Sequence, residues 1–532
     1  MHKMKHKINN TLDIIFNILF TIYFATIFIS TIFFNKTINI NYNKILMIVI
    51  PLILYAIIFV IYYKFSDKKL LKKDINIGVC ILFIGIIFII QLFIIKKIYN
   101  IVGWDCGKII NDALASIKNG TIEDYSYYIY YPNNIEMFLI MRYLFAFTSK
   151  FIEISNLYNV FYVASVFNII LLDIAALFTF LTVQRILERK SSYLSLIFIL
   201  VFILFTPYIN IPYTDTITMM FPILIFYLYI CIKQSTNKKK YLLAFLLGIV
   251  SIMGFYIKPT TIIVIIAITI KELLNINKKN IPKNILVVCI IIIGMLTGKM
   301  IYEHQKSKYF SSSISEEMLS ENEMPFTHFL MMGMQQNKIE NIPENGGKNT
   351  FLYGAYNEED VQNTKKVIGI ENKKSYNFRI IKERLHNFGF WGYIKFLFNK
   401  SNWILSDGTF YYGCEGTTIP NSYGNQSNAG KNLQKFVTYN TKQFKNITAN
   451  IMQTLWILLI LGLVFSYNKK EDKYINVAKL SIIGIVLFIL LFEGRSRYLV
   501  NYIPLFIVVG TYGLKNSLKQ TKKIVKKKIE GR

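Results

Sequence analysis

The chain has 532 residues, of which 53% are hydrophobic and 15% aromatic, and its formal net charge is +29. Apolar runs such as 78–90, 285–296 and 455–465 exclude a single soluble core and predict an all-α polytopic membrane protein. Basic loops beside the membrane, in contact with anionic lipid headgroups, explain the positive charge, so we expect membrane lipids and no nucleic acid as partners.

The hydrophobic runs predict a bundle of about twelve transmembrane helices. They cover residues 14–34, 45–63, 76–95, 158–184, 193–209, 216–232, 241–256, 259–272, 284–300, 450–467, 475–491 and 499–515. The first run lacks a small-residue cleavage site, which indicates a retained span rather than a signal peptide. The run 135–148 is short and contains Glu136 and Arg142, so we expect it to lie at the membrane surface or to dip in without crossing.

Lysine and arginine residues predict the orientation of the spans in the membrane, because short cytoplasmic loops contain more of them than outer loops do. With the N terminus inside, every lysine-rich loop falls on the cytoplasmic side: 64–74, 184–191, 233–240, 271–283, 467–473 and the tail from 515. A full crossing by 135–148 would invert all later loops. The pattern therefore predicts a multi-pass protein of a bacterial plasma membrane with both termini in the cytoplasm.

This topology predicts three regions. Residues 1–300 form a transmembrane region with an outer loop at 96–134, residues 301–446 form a large extracellular domain, and residues 447–532 form a C-terminal transmembrane region with a basic cytoplasmic tail. The five cysteines show no metal-binding spacing. Cys106 and Cys414 both map outside, and either a disulfide or two separate thiols fits the sequence.

Two aspartates on the predicted outer side are candidates for chemistry. Asp105 follows Gly103 and Trp104 in the first large outer loop, where an acid can serve as a general base, although a solvated loop acid is the ordinary alternative. Asp215 lies where one span ends and the next begins. It can bind a divalent cation or help activate a nucleophile, or it can simply cap the following helix.

Cationic side chains occur on the same side, against the charge bias. Lys258 lies between two short spans, and Arg495 and Arg497 lie in a short loop, residues 493–498, which we call the arginine hairpin. The guanidinium group presents a fork of donors suited to phosphate oxygens. Snorkelling of Lys258 to the headgroups and a local ion pair of Glu493 with Arg497 are the structural alternatives.

Together these features resemble the GT-C superfamily of polyprenyl-phosphate-sugar glycosyltransferases, in particular its members from Gram-positive bacteria. The resemblance covers most of the chain from residue 100 onward and consists of short motifs in a common order. They are the outer-loop Asp105, Tyr131-Pro132, Tyr213-Thr214-Asp215-Thr216, the stretch 325–333 with His328, Gly354-Ala355-Tyr356-Asn357 with Asp360, Ser406-Asp407-Gly408-Thr409-Phe410, and the Glu-x-Arg-x-Arg-Tyr sequence of the arginine hairpin before a span with Pro504.

The resemblance implies a GT-C-like bundle that transfers a sugar, with inversion, from a polyprenyl-phosphate donor to an acceptor hydroxyl on the outer membrane face. The acceptor class is a cell-wall polymer, a glycolipid or a protein. Asp105 would be the general base, and Asp215 would assist catalysis by positioning the acceptor or binding a divalent cation such as Mg or Mn. The implied substrate- and phosphate-binding residues are Lys258, Glu493, Arg495, Arg497, Tyr498, Tyr131 and His328.

The chain departs from the superfamily pattern in two ways. It has two additional spans before the loop that contains Asp105, and Cys106 stands where the family has a second acid, which puts the metal requirement in doubt. A polysaccharide polymerase or ligase and a lipid-linked sugar transporter or flippase are the alternative functions. Asp173, within a predicted span, is the main candidate for an intramembrane transport residue.

Overall fold

The computed structural model of the chain describes residues 2–35, 40, 42–64, 75–122, 124–154, 156–187, 189–274, 281–310, 315–339, 350–413, 427–467 and 473–530. The α-helices of the first half are α1 (His2–Phe33), α2 (Leu46–Lys64), α3 (Ile77–Ile98), α4 (Trp104–Asn119), α5 (Ser126–Tyr130), α6 (Ile135–Thr148), α7 (Leu157–Ile186), α8 (Arg189–Ile199), α9 (Thr214–Ile217), α10 (Met220–Gln234), α11 (Lys239–Ile257) and α12 (Ile263–Leu274).

The α-helices of the second half are α13 (Ile281–Phe310), α14 (Glu316–Asn322), α15 (Phe326–Met332), α16 (Glu358–Lys365), α17 (Ile370–Leu405), α18 (Asn428–Val437), α19 (Ala449–Val464), α20 (Lys473–Leu491) and α21 (Ile503–Glu530). Strands β1 (Gln336–Ile339) and β2 (Thr350–Tyr353) form an antiparallel pair. Short 3₁₀ turns occupy Pro132–Asn134, Pro207–Asn210, Pro259–Ile262 and Ser496–Tyr502, and single π turns occupy Leu200–Leu204 and Phe444–Thr448. The chain is an all-α polytopic membrane protein, as its hydropathy predicts.

Within the described ranges, ten helical segments are long and apolar enough to cross a membrane. They are Thr11–Phe33, Leu46–Lys64, Ile77–Ile98, Leu157–Ile186, Arg189–Asn210, Thr214–Gln234, Lys239–Ile257, Asn284–Phe310, Phe444–Val464 and Lys473–Leu491. These segments coincide with ten of the twelve predicted spans. Local hydropathy alone was therefore sufficient to locate most of the bundle.

The other two predicted spans differ from long apolar helices for identifiable reasons. Residues 259–272 begin with a 3₁₀ turn, and α12 has only 12 residues. Such a helix rises about 18 Å, less than the hydrocarbon core of a bilayer. Residues 499–515 also begin in a 3₁₀ turn, and α21 continues into a lysine-rich end that lowers its mean hydropathy.

Glycines let two pairs of helices pack with their backbones in contact. A Cβ atom added to Gly248 of α11 would lie 2.1 Å from the carbonyl oxygen of Ile291 in α13. A Cβ atom added to Gly513 of α21 would lie 1.6 Å from the carbonyl oxygen of Gly462 in α19. Small residues at such crossings maximise packing where no hydrophobic effect drives helices together. The α19 contact also fixes α21 in the bundle despite its charged end.

The 301–446 region packs around a fork of charge-assisted hydrogen bonds. Arg384 of α17 donates to both carboxylate oxygens of Asp360, at 3.0 and 2.7 Å, and to the carbonyl oxygen of Met331 at 2.6 Å. Helix α17 breaks at Gly389, whose φ of 59° is readily adopted only by glycine. The break separates the part of α17 that holds α15 and α16 from the part that reaches the arginine hairpin.

The lysine pattern predicts that the 301–446 region and the 233–240 loop lie on opposite sides of the membrane. We expect Ser320→Cys, at an exposed position in α14, to react with a membrane-impermeant maleimide in intact cells, and Lys238→Cys to react only after permeabilisation. The measurement is maleimide labelling of each variant before and after permeabilisation, with the parent chain as the background control. Equal labelling of both positions in intact cells would contradict the predicted topology.

Candidate functional site

Asp105 is half-buried and lies in the first turn of α4. This first turn packs tightly against the preceding residues of the chain. Gly107 makes this turn possible, because a Cβ atom there would lie 2.4 Å from the carbonyl oxygen of Val102. The partial positive charge of the helix N terminus favours a carboxylate at this position. The hydroxyl of Tyr213 donates a hydrogen bond to Oδ2 of Asp105 at 3.2 Å, which ties α4 to the loop before α9.

Asp215 is buried and lies in the first turn of the short helix α9. The N-cap residue of α9 is Tyr213, so Asp215 does not act as the cap. Its carboxylate instead forms an ion pair with the ammonium of Lys258 and a second one with Nε of Arg497, at 3.7 Å. Lys258 is extended because Pro259 follows it, and this conformation ends α11.

The arginine hairpin leads from α20 into the 3₁₀ turn before α21. The hydroxyl of Tyr498 donates to Oε2 of Glu493 at 2.8 Å. The ring of Tyr498 faces two cations, with its centroid 4.6 Å from Nζ of Lys258 and 5.6 Å from Cζ of Arg497. Arg495 lies over the ring of Tyr411, 5.4 Å from the centroid. Aromatic faces thus accompany all three cations, which stabilises their charge in a poorly hydrated setting.

The charges of this cluster are nearly balanced. Burial disfavours the charged form of both signs, because it lowers the pKa of Lys258 and Arg495 as well as raising that of Glu493. Burial raises the pKa of Glu493, while its hydrogen bond from Tyr498 and the charge of Arg497 oppose that shift. Burial by itself would lower the pKa of Arg497, but Asp215, Tyr498, Tyr213 and Asp105 together outweigh it, so the net pKa is raised and the guanidinium stays charged. An anionic ligand would offset the burial of Lys258, Arg495 and Arg497, since a nearby opposite charge favours the charged form of each.

Tyrosines from the loop after α4 complete the surroundings of Asp105. The hydroxyl of Tyr127 accepts a hydrogen bond from Nδ2 of Asn134 at 2.6 Å. Burial raises the pKa of Tyr131 to about 12, and the negative charges of Asp105, Glu358 and Glu493 add to the shift. Tyr131 therefore lies within electrostatic reach of both the acid of α4 and the arginine hairpin.

A buried lysine that sequence reasoning missed anchors the arginine hairpin. Nζ of Lys400, in the last turns of α17, donates to the carbonyl oxygens of Gly333, Leu490 and Phe492 at 2.8, 3.0 and 2.7 Å. Burial lowers the pKa of Lys400 to about 7. Three carbonyl acceptors match the three donors of an ammonium, so the side chain joins the end of α20 to the 301–446 region. The sequence around Lys400 contains no signal for this role.

The backbone of the hairpin is held by the same region. The amide of Glu493 donates to the carbonyl oxygen of Phe329 at 2.7 Å, and the amide of Gly494 donates to that of Gly354 at 2.9 Å. Phe329 and Gly354 belong to the motifs quoted above, but the sequence assigned them no contact. Their role here is to dock the arginine hairpin.

Strained backbone surrounds the cluster. The non-glycine residues with positive φ in the described part of the chain are Trp104, Phe410 and Tyr411, at 55°, 55° and 63°. Asp407 holds the last two, because its carboxylate accepts hydrogen bonds from the amides of Thr409 and Tyr411, both at 2.9 Å. Strain of this kind concentrates at functional sites, where the surrounding structure enforces it.

His328 is placed apart from the charged cluster. Its Nδ1 lies 2.9 Å from Oγ1 of Thr364, which in turn donates to Asn377 at 3.2 Å. Burial lowers the pKa of His328 to about 4, so the ring is neutral at physiological pH. The structure thus brings together eight of the nine candidate residues, and it places His328 in the interior packing of α15, α16 and α17.

The residues around Asp215 do not fit a resident divalent cation. Its two charged neighbours are themselves cations, Lys258 and Arg497, and they occupy the carboxylate that a metal would need. The described residues contain no group of three or more His, Cys, Asp or Glu side chains with suitable geometry. Cys106 is a buried thiol that donates to the carbonyl oxygen of Pro212 at 3.5 Å. Its candidate partner Cys414 lies outside the described residues.

The fold and the cluster define a polytopic α-helical membrane protein with a charged site at one end of its bundle. The chain belongs to a family described as conserved hypothetical integral membrane protein, whose sequence profile matches residues 4–518. No curated protein and no solved structure shows a detectable match to the chain. The family is therefore established, and its description names no activity.

Lys400 should make stability depend on pH. Its pKa is about 7 when folded and 10.5 ordinarily, so above about pH 7 the unfolded chain holds a proton that the folded chain has lost. The free energy of unfolding of the parent chain should therefore rise as the pH increases from about 7 to 10.5. Lys400→Met should lack this part of the increase. The measurement is thermal unfolding in detergent at about pH 6.5 and about pH 9.

Lys395→Met is the matched control, since Lys395 lies on the exposed face of the same helix. The difference in midpoint between the parent chain and Lys400→Met should grow in favour of the parent chain as the pH rises. Parallel pH curves for these two proteins would show that Lys400 keeps its ordinary pKa.

Proposed function

We propose that this protein is a membrane glycosyltransferase that moves a sugar from a polyprenyl-phosphate donor to an acceptor hydroxyl on the outer membrane face, with inversion. One observation carries the proposal. A half-buried carboxylate, Asp105, and a set of buried cations lie in one cluster, joined through Tyr213 and Asp215. A base and a phosphate-binding group are the two parts that such a transfer requires.

In the proposed reaction, Asp105 accepts the proton of the acceptor hydroxyl while the hydroxyl oxygen of the acceptor attacks the anomeric carbon of the donor sugar. The bond between that carbon and the phosphate oxygen breaks, and its electron pair leaves with the lipid phosphate. Lys258, Arg495 and Arg497 stabilise the negative charge on the leaving phosphate. Attack from the face opposite the leaving group inverts the anomeric centre.

Asp215 has a positioning role in this mechanism. Its carboxylate holds Lys258 and Arg497 side by side, so two donors face the same ligand without reorganisation. Glu493 and Tyr498 form the adjoining wall, and Tyr131 lies toward Asp105. The cationic side chains supply the charge that a divalent ion would otherwise provide, so the proposal includes no metal.

The transporter alternative receives less support. Its main candidate, Asp173, accepts a hydrogen bond from Nε2 of Gln91 at 3.1 Å, and the same nitrogen donates to the carbonyl oxygen of Leu204 at 2.8 Å. This pairing accounts for a buried acid in α7 by a contact between helices. The polymerase or ligase alternative shares the phosphate chemistry, and the nature of the acceptor separates it from the transferase.

The cations should determine affinity for the lipid phosphate. Arg495→Ala or Arg497→Ala should weaken binding of polyprenyl phosphate by about tenfold or more, since a hydrogen bond to a charged group contributes about 1.5–3 kcal/mol. Lysine at either position should restore only part of the affinity, because a point charge cannot reproduce the guanidinium fork. The measurement is binding of polyprenyl phosphate to the purified chain in detergent.

Arg379→Ala provides the control, because Arg379 is an exposed arginine of α17 near the ring of Tyr376. Its affinity for polyprenyl phosphate should equal that of the parent chain. Unchanged affinity in both hairpin alanine variants would remove the arginine hairpin from the donor site.

Asp105 should be required for turnover but not for folding. Asp105→Asn retains an oxygen that can accept the hydrogen bond of Tyr213 but cannot take a proton, so transfer should fall by about 10²–10⁴-fold. The measurement is transfer of radiolabelled sugar from a panel of polyprenyl-phosphate sugars into cell-envelope material by membranes containing each variant.

Asp112→Asn is the comparison. Asp112 accepts a hydrogen bond from Tyr128 at 2.9 Å and forms an ion pair with Lys108 at 3.1 Å, and neither partner belongs to the charged cluster. Transfer should persist in this variant at the level of the parent membranes. Near-normal transfer by Asp105→Asn would refute Asp105 as the base, and a loss confined to Asp112→Asn would reassign that role.

A further inference from the structure

Trp104 combines two features that are costly for a tryptophan. Its φ is 55°, a left-handed conformation that glycine or asparagine adopts far more easily than a bulky side chain. Its side chain is also 65% exposed, although the indole is one of the largest apolar groups in the chain. Packing in the protein interior does not explain why a tryptophan occupies this position.

The backbone of the turn is determined by its neighbours rather than by the indole. Val102 is buried, Gly107 allows α4 to close against the carbonyl of Val102, and the amide of Gly107 donates to the carbonyl of Gly103 at 3.1 Å. In the described part of the chain, Trp104 forms no ring contact with another aromatic side chain or a cation. Glycine at 104 would satisfy this turn at lower cost.

The position of Trp104 in the chain places it nearer to the acceptor than to the donor of the proposed transfer. It directly precedes Asp105, whereas Lys258 and Arg497 lie beyond Tyr213 and Asp215. If Asp105 deprotonates the acceptor and the cations hold the donor phosphate, the indole lies on the acceptor side. A strained, exposed residue beside a candidate base is the arrangement expected of a group kept for ligand contact.

We infer that the indole of Trp104 stacks against a sugar ring of the acceptor, an inference that rests on the proposed transferase function. One face of a sugar ring presents C–H groups with partial positive charge, which match the negative face of an aromatic ring. The ring's hydroxyl groups project from its edge, where Asp105 can accept a proton. An apolar platform beside a single polar group is typical of small-ligand sites. The acceptor is therefore a carbohydrate rather than a protein.

Anchoring at the membrane interface is the competing role, because tryptophans concentrate there. The chain offers a matched comparison in Trp391, which is 77% exposed in α17 and follows the break at Gly389. An anchoring role makes the two tryptophans equivalent with respect to sugar binding. Stacking makes only Trp104 necessary.

The experiment is saturation-transfer NMR on the purified full chain, in a detergent without a sugar headgroup. The probes are the methyl glycosides of glucose, galactose and N-acetylglucosamine, with glycerol as a polyol that lacks a ring. We expect transfer to the ring protons of at least one glycoside, reduced about fivefold or more in Trp104→Gly and unchanged in Trp391→Gly. No transfer to any glycoside in the parent chain, or an equal reduction in both variants, would overturn the inference.

Two further measurements on the same Trp104→Gly preparation separate the possible outcomes. Its unfolding temperature should equal or exceed that of the parent chain, because glycine relieves the left-handed strain. A lower unfolding temperature together with lost transfer would assign Trp104 a structural role and overturn the inference. Its affinity for polyprenyl phosphate should be unchanged. In the parent chain, phosphate binding without any sugar binding would reject the stacking role alone, whereas the absence of phosphate binding would reject the transferase.

Discussion

The buried carboxylate of Asp215 and its two cations, Lys258 and Arg497, are the interaction on which the site depends. An ionised side chain taken out of water costs several kcal/mol unless it is paired, so each member of this set requires the others. The three residues come from α9, from the junction of α11 and α12, and from the arginine hairpin. Loss of one partner from such a set typically costs about 3–5 kcal/mol, which explains why three distant segments keep one arrangement.

The arginine hairpin could not hold its charges in place by itself. Two arginines two residues apart repel each other, and the only regular structure in these six residues is the start of a 3₁₀ turn at Ser496. The 301–446 region supplies the support. Lys400 of α17 donates to the carbonyl oxygen of Leu490 at the end of α20, and Asp407 fixes the turn that holds Tyr411 against Arg495. This region is thus part of the framework of the candidate site, and its contacts hold a short, charged connection between two helices in one arrangement.

The charged residues of the site could be found without the structure because the signal is local. Lys258, Arg495 and Arg497 depart from a charge bias that is read from loops one at a time, and Asp105 and Asp215 stand at the ends of hydrophobic runs. His328 was selected from a motif rather than from a charge pattern, and the structure places it apart from the charged cluster. Its Nδ1 lies against Thr364 in the interior, and no local sequence pattern separates such a placement from one at a binding site.

Hydropathy determined the all-α membrane class and ten of the helical segments, because spanning a bilayer requires about 20 consecutive apolar residues and this is a property of continuous sequence. The tertiary structure decided which charges meet. The hydrogen bond of Tyr213 to Asp105 joins residues 108 positions apart, and that of Lys400 to Phe492 joins residues 92 positions apart. Such contacts depend on how helices cross, which is set by packing between distant segments and leaves no trace in local composition.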